Sequence, residues 1–371
     1  TFGRSLDDQA MKILYGVQGT GNGHLTKARI MARALFHVGA QVDWVFSGRD
    51  PNGYFDMELF ADYRCFTGLT LITRKGRVLP FKTLTQNRFI QLYRDIKKLD
   101  LSGYDLIIND FEPVSAWAAR REGKPVLGLS HQCAFFHSIP RRGDNLFSRV
   151  FMRYFAPVDR PIGLHWHHFN QPILPPLIEA SGFPNESRPG HYLVYLPFGD
   201  ANDILPQLNH FPEHHFYFYQ AVSEAEDWGN IHIRPFSRQG FQADLHRCEG
   251  VICSAGFVLA SEAIHLGKKL LVQPVKGQME QESNALALSQ LGYGAVTKSL
   301  TVDAISQWLA SPKPRPLEYP SGADALARWL VRDGADDEAF DSMYTQLWQA
   351  CSDPGQTSNA QTKGVLTGLG S

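Results

Sequence analysis

The stretch Gly250–Ala285 reads GVICSAGFVLASEAIHLGKKLLVQPVKGQMEQESNA, and its order of residue types sets the class of fold. The apolar run Val251–Cys253 reads as a buried strand, Ser254-Ala255-Gly256 as a turn, and the next segment as a helix that carries Glu262 and stops at Gly267. A second strand (Leu270–Gln273), a loop through Pro274 and Gly277, and a helix carrying Gln281 and Asn284 follow. Strand, turn and helix, twice over, is the repeat of a parallel sheet covered by helices. In such sheets ligands bind beyond the carboxyl ends of the strands, where a helix start offers unpaired N–H groups and a positive dipole end. Ser254 and Gly256 are therefore a seat for phosphate. Glu262, about two turns into its helix, can accept hydrogen bonds from both hydroxyls of a ribose, while Gln281 and Asn284, at i and i+3, share a face. The competing reading is an ordinary βαβα unit with a solvated glutamate and a polar helix start.

The same grammar opens the chain. Lys12–Val17 is a short apolar strand, Gln18–Gly23 (QGTGNG) a glycine loop, and the helix after it carries Ala28, Met31, Ala32, Leu35 and Phe36 on one face before closing at Gly39. A dinucleotide fingerprint would need a third glycine where His24 stands, since Gly19, Gly21 and Gly23 are spaced by two. A nicotinamide enzyme is therefore the second reading. His24 sits where a helix start meets the cleft and can accept a proton there, or it can serve as a cap of that helix. After the strand Leu106–Asn109 come Asp110, Phe111, Glu112 and Pro113. Asp110 can orient His24 as a carboxylate orients imidazole in a general-base pair, and Glu112 precedes a proline-started helix (Val114–Arg121) as its N-cap. Strands over Phe66–Ile72 and Val126–Leu129 and a helix over Arg88–Leu99 complete the first series, with Ser130, His131 and Gln132 on the same rim.

At 371 residues the chain has room for two domains. Prolines at 161, 172, 175 and 176 and the polar run SGFPNESRPG mark a connector near residues 170 to 190. The expected division is an acceptor-side domain over 11–172, a donor domain over 190–350 and a flexible tail over 353–371; the ten residues before Met11 are set aside. The second series has strands at Tyr192–Leu196, Phe216–Tyr219 and Ile231–Ile233, and helices near Ile204–Leu208 and Gln242–Arg247. Phe236 stands where an aromatic ring and free backbone groups can receive a base. Three helices close the chain (Val302–Leu309, Ala323–Arg332, Asp337–Gln349), the last able to cross back to the first domain.

With 36 basic and 37 acidic residues there is no basic field to draw nucleic acid. Five scattered cysteines without a CxxC pair fit reduced thiols and argue against a disulfide framework or zinc site. His165 and His167 alternate as strand residues do and His168 breaks the pattern, which implies no metal-ligand geometry. No window resembles a membrane span or a signal peptide, so a cytoplasmic protein is expected. Leu146, Phe147, Val150, Phe151, Tyr154 and Phe155 form an apolar stripe beside Arg141, Arg142, Arg149 and Arg153. Such a helix can lie peripherally at the inner face of a membrane or meet an anionic lipid-linked acceptor; the competing reading packs it against its own domain.

Two α/β series in tandem, a glycine loop ending in histidine, and Ser-Ala-Gly with a downstream Glu and a Gln/Asn helix together resemble the GT-B glycosyltransferases, and in particular the family of MurG, the N-acetylglucosaminyltransferase of peptidoglycan assembly. The resemblance spans about residues 11–350 in architecture, with its specific motifs at Gly19–His24 and Ser254–Ala285. It implies two Rossmann-like domains facing across a cleft. It also implies that Gly256, with Ser254 and Phe257 beside it, lets backbone N–H groups reach the donor diphosphate. Glu262 resembles the carboxylate that binds the donor ribose, and Gln278, Gln281 and Asn284 the polar positions that read the sugar hydroxyls. Gly19, Gly21, Gly23 and His24 resemble the loop that closes on the diphosphate. The implied reaction is an inverting transfer from a UDP-sugar, or another nucleoside-diphosphate sugar, to a hydroxyl acceptor, without metal or cofactor; no Asp-x-Asp pair occurs in the chain. The rivals are a sugar-nucleotide epimerase or hydrolase of the same fold and a non-catalytic nucleotide-sugar-binding protein.

Overall fold

The computed structural model describes residues 10–70, 87–333 and 336–351, with 73–74, 77–78, 83 and 85 between them. The chain's first nine residues and the expected tail over 353–371 lie outside the described residues.

Strand β1 (Lys12–Gln18) buries Ile13, Leu14, Tyr15 and Val17 completely. Consecutive buried residues mark a parallel strand covered on both faces. Helix α1 (Asn22–His37) packs Leu25, Ala28, Met31 and Leu35 inward, whereas Phe36, expected on that face, is 79% exposed. At ~100° per residue it falls ~100° beyond Leu35, off the stripe. Then come β2 (Gln41–Ser47) and β3 (Arg64–Phe66). The strand expected over Phe66–Ile72 thus pairs earlier: Gly68 has φ +59 against Ser47, a turn no strand continues through, and residues 71–72 lie outside the described set. After the small antiparallel pair β4 (Thr73–Arg74) and β5 (Arg77–Val78), the first series continues through α2 (Phe89–Lys98), β6 (Leu106–Asp110) and α3 (Pro113–Glu122). It ends with β7 (Leu127–Ser130), α4 (His131–Ala134), α5 (Leu146–Tyr154), β8 (Arg160–Leu164) and β9 (Ile173–Leu174).

From Pro175 to Gly190 the chain has neither helix nor strand. The second series is β10 (His191–Tyr195), α6 (Ala201–Leu208), β11 (His215–Gln220), β12 (Glu226–Trp228), β13 (Ile231–Pro235), α7 (Arg238–Arg247), β14 (Gly250–Cys253) and α8 (Phe257–His265). It continues with β15 (Lys269–Val272), α9 (Met279–Leu291), β16 (Ala295–Val296) and α10 (Val302–Ala310). The exposed, polar β12 pairs antiparallel to β13 and had no apolar pattern by which to be found.

The two large sheets run β3-β2-β1-β6-β7-β8-β9 and β12-β13-β11-β10-β14-β15-β16. In each, strand order reverses beside the first strand, between β1 and β6 and between β10 and β14. A crevice opens at such a reversal because the flanking connections leave to opposite faces of the sheet. Helices α11 (Gly322–Val331) and α12 (Asp337–Gln349) return to the first sheet. Trp348 Nε1 donates to Ile173 O at 2.7 Å, and Arg160 pairs with Asp337 at 2.6 Å. One apolar core runs through both halves, from Leu25 to Phe257 and Trp329. Among the described residues no helix is long and apolar enough to cross a membrane.

Candidate active site

The two reversal points face each other, and a cavity of about 500 Å³ lies between them. Its first wall comes from the carboxyl end of β1 and the start of α1. The three glycines there have different tasks. Gly19 donates its N–H to Ser47 O at 2.6 Å, and a Cβ on it would lie 2.1 Å from the Tyr54 hydroxyl, so it serves close packing and does not line the cavity. Gly21 caps α1 and is open to the cavity. Gly23 lets α1 approach α8, where an added Cβ would meet Val258 at 3.1 Å.

His24, in the first turn of α1, and Asp110, the last residue of β6, meet across the reversal point: His24 Nδ1 lies 2.8 Å from Asp110 Oδ1. That bond places the proton on Nδ1 and leaves Nε2 as the acceptor. Lys27, one turn along α1, donates to the same oxygen at 2.6 Å and to Leu129 O at 3.0 Å. Asp110 is completely buried. Burial works to raise its carboxyl, but its neighbours His24 and Lys27 outweigh it, electrostatically and by their hydrogen bonds, and hold the group below the usual carboxylate range. Lys27 was missed in the sequence; the clue was its i+3 spacing from His24 on an otherwise apolar face.

Glu112 takes no part in this pair. Its buried carboxylate accepts from Val114 N and Ser115 N, both at 2.7 Å, from Ser115 Oγ at 2.6 Å and from Ser47 Oγ at 2.5 Å, as the N-cap of α3. Between the two acids Phe111 adopts φ +55, which turns its ring onto Phe155 at 4.8 Å and makes it part of the cavity wall.

The second wall carries Tyr195, Phe236, Ser254, Gly256, Phe257, Gln278 and Gln281, with Glu280 from the first turn of α9. Gly256 is the N-cap of α8 at φ −74, a conformation any residue can adopt, and a Cβ there would meet nothing within 4 Å; its openness leaves room for a ligand against the backbone. Three helices begin on this cavity, α1 at Gly21, α8 at Gly256 and α9 at Gln278, and none has a side-chain cap. Of the helices that start elsewhere, α3, α5, α6, α7, α10 and α12 are capped by Glu112, Asn145, Asp200, Ser237, Thr301 and Asp336, while α2 and α11 have no side-chain cap either. Uncapped starts leave N–H donors and a positive dipole end for an anion. Arg49, just beyond β2, adds a guanidinium to the same cavity. Among the described residues no three His, Cys, Asp or Glu side chains are grouped to hold a metal ion.

Three expectations need correction. Asn284 does not face the cavity with Gln281. It is completely buried, donating to Ala255 O at 3.0 Å and meeting His131 Nε2 at 2.7 Å, because α9 runs down into the interface between the halves. Gln281 lines the cavity but commits its oxygen to Val275 N at 2.9 Å. Phe257 is buried and stacks on His131 at 4.1 Å with the rings 2° apart, joining the halves. His131 is fully packed; burial lowers its imidazole pKa, against the raising effects of Glu280 and of its bonds to Leu164 and Asn284.

Glu262 lies apart from His24. It faces an adjoining depression of about 330 Å³ with Gln242, Glu179 and Tyr319, since five residues along α8 from Phe257 carry it ~140° round the helix. It is 7% exposed, and among the described residues its carboxyl receives one hydrogen bond, from Gln242 Nε2 at 3.1 Å. Burial pushes its carboxyl up to about 7, with Glu179 adding to the rise and the Gln242 bond and Arg238 opposing it.

The family model described as glycosyl transferase family 1 matches residues 11–311. No curated protein matches the chain in sequence. Among solved structures, the glycotransferase of kitacinnamycin aligns at 15% identity with TM-score 0.55, over 91% of this chain and 100% of its own. LpCGTa in complex with UDP aligns at 15% identity and TM-score 0.55, over 93% and 100%. The spinosyn rhamnosyltransferase SpnG complexed with thymidine diphosphate aligns at 14% and TM-score 0.53, over 87% and 96%. At these identities the likeness speaks for the fold, which is the GT-B arrangement of two sheets facing a cleft.

Proposed function

The chain belongs to glycosyl transferase family 1, and from that premise we propose that it moves a sugar from a nucleoside-diphosphate donor, of the UDP-sugar class, to a hydroxyl acceptor with inversion at the anomeric carbon. One observation carries the reading: the His24–Asp110 pair and the uncapped starts of α1, α8 and α9 share one cavity. A base and an anion seat in one cavity are what a single displacement at an anomeric carbon requires. His24 Nε2 takes the proton of the acceptor hydroxyl as its oxygen attacks, Asp110 holds the imidazole in place, and the helix starts meet the departing diphosphate. The attack comes from the face opposite the leaving group, and the configuration inverts.

We assign the acceptor side to residues 11–172 and the donor side to 190–350. On the donor side Gly256 and Ser254 seat the diphosphate, Phe236 meets the base and Gln278 and Gln281 face the sugar. Glu262 binds the ribose from the adjoining depression. That structural neighbours carry UDP and thymidine diphosphate agrees with a diphosphate ligand. The MurG-like motifs favour an acceptor on a lipid carrier and a cytoplasmic protein working at the inner face of a membrane. In support, Leu146 and Phe147 on α5 are 78% and 70% exposed beside Arg149 and Arg153. Metal-independent chemistry is proposed from the lack of an Asp-x-Asp loop.

Replacing His24 by Ala is expected to lower turnover by roughly 10²-fold or more, as loss of a general base does, measured as release of UDP from UDP-N-acetylglucosamine over an acceptor panel. Near-wild-type turnover would remove His24 from this role. Isomerised or hydrolysed sugar formed by the wild type without acceptor would place the chain with the epimerases or hydrolases instead.

A further inference from the structure

Arg49 is a cation without an anionic partner among the described residues. Its guanidinium donates to Asn22 Oδ1 at 2.9 Å, to Gly53 O at 3.2 Å and to Thr20 O at 3.5 Å, all neutral oxygens, and lies 5.5 Å from the centre of the Tyr54 ring. Among the described residues no carboxylate lies within ion-pair distance of it. Lys27, the other cation of the cavity, is already committed to Asp110. Arg49 is half-buried, and burial holds its pKa below the ordinary value. A charge taken part-way out of water without a partner is costly, and an arriving anion recovers that cost. The surroundings lead from Arg49 to the anion seat: Asn22, held by Arg49, donates to the Tyr195 hydroxyl at 3.3 Å in the other half, and Tyr195 O accepts from Ser254 N at 3.3 Å. Ser254 opens the turn whose third residue, Gly256, caps α8.

We propose that Arg49 receives the β-phosphate of the donor and takes up the charge of the departing diphosphate. The assignment rests on reading this cavity as the donor site. In the transfer the acceptor oxygen bonds to the anomeric carbon and its proton passes to His24 Nε2. The bond from the anomeric carbon to the β-phosphate oxygen breaks, and its electron pair stays on that oxygen. The diphosphate thereby gains one negative charge, which the planar fork of Arg49 meets from one half and the free N–H groups of the first turn of α8, after Gly256, from the other. A guanidinium suits this because it contacts two phosphate oxygens at once and keeps its charge at any physiological pH.

The test is calorimetric titration of UDP and UMP into the wild-type chain, Arg49→Met and Arg49→Lys, and of TDP and GDP into the wild type, with thermal melts to confirm folding. The wild type is expected to bind UDP about tenfold or more tighter than UMP, the size of a charge-assisted contact. Arg49→Met should lose that preference while holding UMP within about twofold of wild type, and Arg49→Lys should keep part of it. If a wild-type preference for UDP survives in Arg49→Met, the assignment of Arg49 falls and the donor-site reading stands. If the wild type binds none of UDP, TDP and GDP, the donor-site reading falls and the assignment with it. Should Arg49→Met fail to fold, Arg49→Lys decides: a loss of preference of about threefold or more supports the role, and equality with wild type overturns it.

Discussion

Asp110 divides one oxygen between His24 and Lys27, so the base of the proposed reaction is held by a carboxylate that the Lys27 cation helps to keep ionised. Glu262 is the opposite case, a buried carboxylic acid with one amide donor and its pKa raised to about 7. The folded state therefore binds more protons than the unfolded state between the usual glutamate range and about 7, and stability falls as pH rises through that window. A carboxyl held that far above its ordinary range is worth about 3 kcal/mol at most. Replacing Glu262 by Gln should stabilise the chain at pH 8 relative to wild type by up to about that amount, with the gap closing towards pH 5. Denaturant melts at the two pH values check this; a gap independent of pH would mean that the carboxyl ionises freely. Glu262 was legible as a helix-borne acid two βα units into the second half. The depression it faces was not, because that depends on Glu179 and Tyr319, distant in sequence.

Among the elements, α5 shows where pattern and packing part. Its apolar stripe divides: Phe155, just past the last turn, is buried, Phe151 packs on Phe111, and Leu146, Phe147, Val150 and Tyr154 remain exposed. The packed reading thus holds for part of the stripe and the rest is left exposed, since helical periodicity reports amphipathic character and does not say what covers each side. If the exposed side meets a membrane, replacing Leu146 and Phe147 by Ser should weaken co-sedimentation with phosphatidylglycerol vesicles by about tenfold or more, as two apolar side chains would. Failure of the wild type to sediment, or equal sedimentation of the variant, would exclude α5 as the contact. The short elements β12, β16 and α4 escaped sequence reading because two or three exposed residues, or a single turn, carry no period.

For the whole molecule, the relation of the halves matters most. His131 from the first half lies flat on Phe257 from the second and meets Asn284 beside it; Trp166 donates to Ser261 Oγ at 2.8 Å across the same interface. If these contacts set the cleft, alanine at His131 and at Phe257 should destabilise non-additively, the double variant costing about 0.5–1.5 kcal/mol less than the sum. Strict additivity in denaturant melts would show that the stack does not couple the halves. The sequence by itself determined the alternation of strands and helices in two series and the two loops at their reversal points, and it offered His24 and Asp110 as candidates that the fold then brings to 2.8 Å. These follow from local periods, turns and caps, and from the rule that ligands gather at the carboxyl ends of parallel strands. Only the tertiary structure decided that Lys27 shares Asp110, that Asn284 is buried against His131, that Glu262 turns to a second depression and that Arg49, bonded to Thr20 and Asn22, has no anion beside it among the described residues. Each of these depends on which faces of distant elements meet, and on what charge is left unpaired when they do. The stretch Gly250–Ala285 thus declared a helix start suited to phosphate, and folding supplied the opposing half that makes it one side of a cleft.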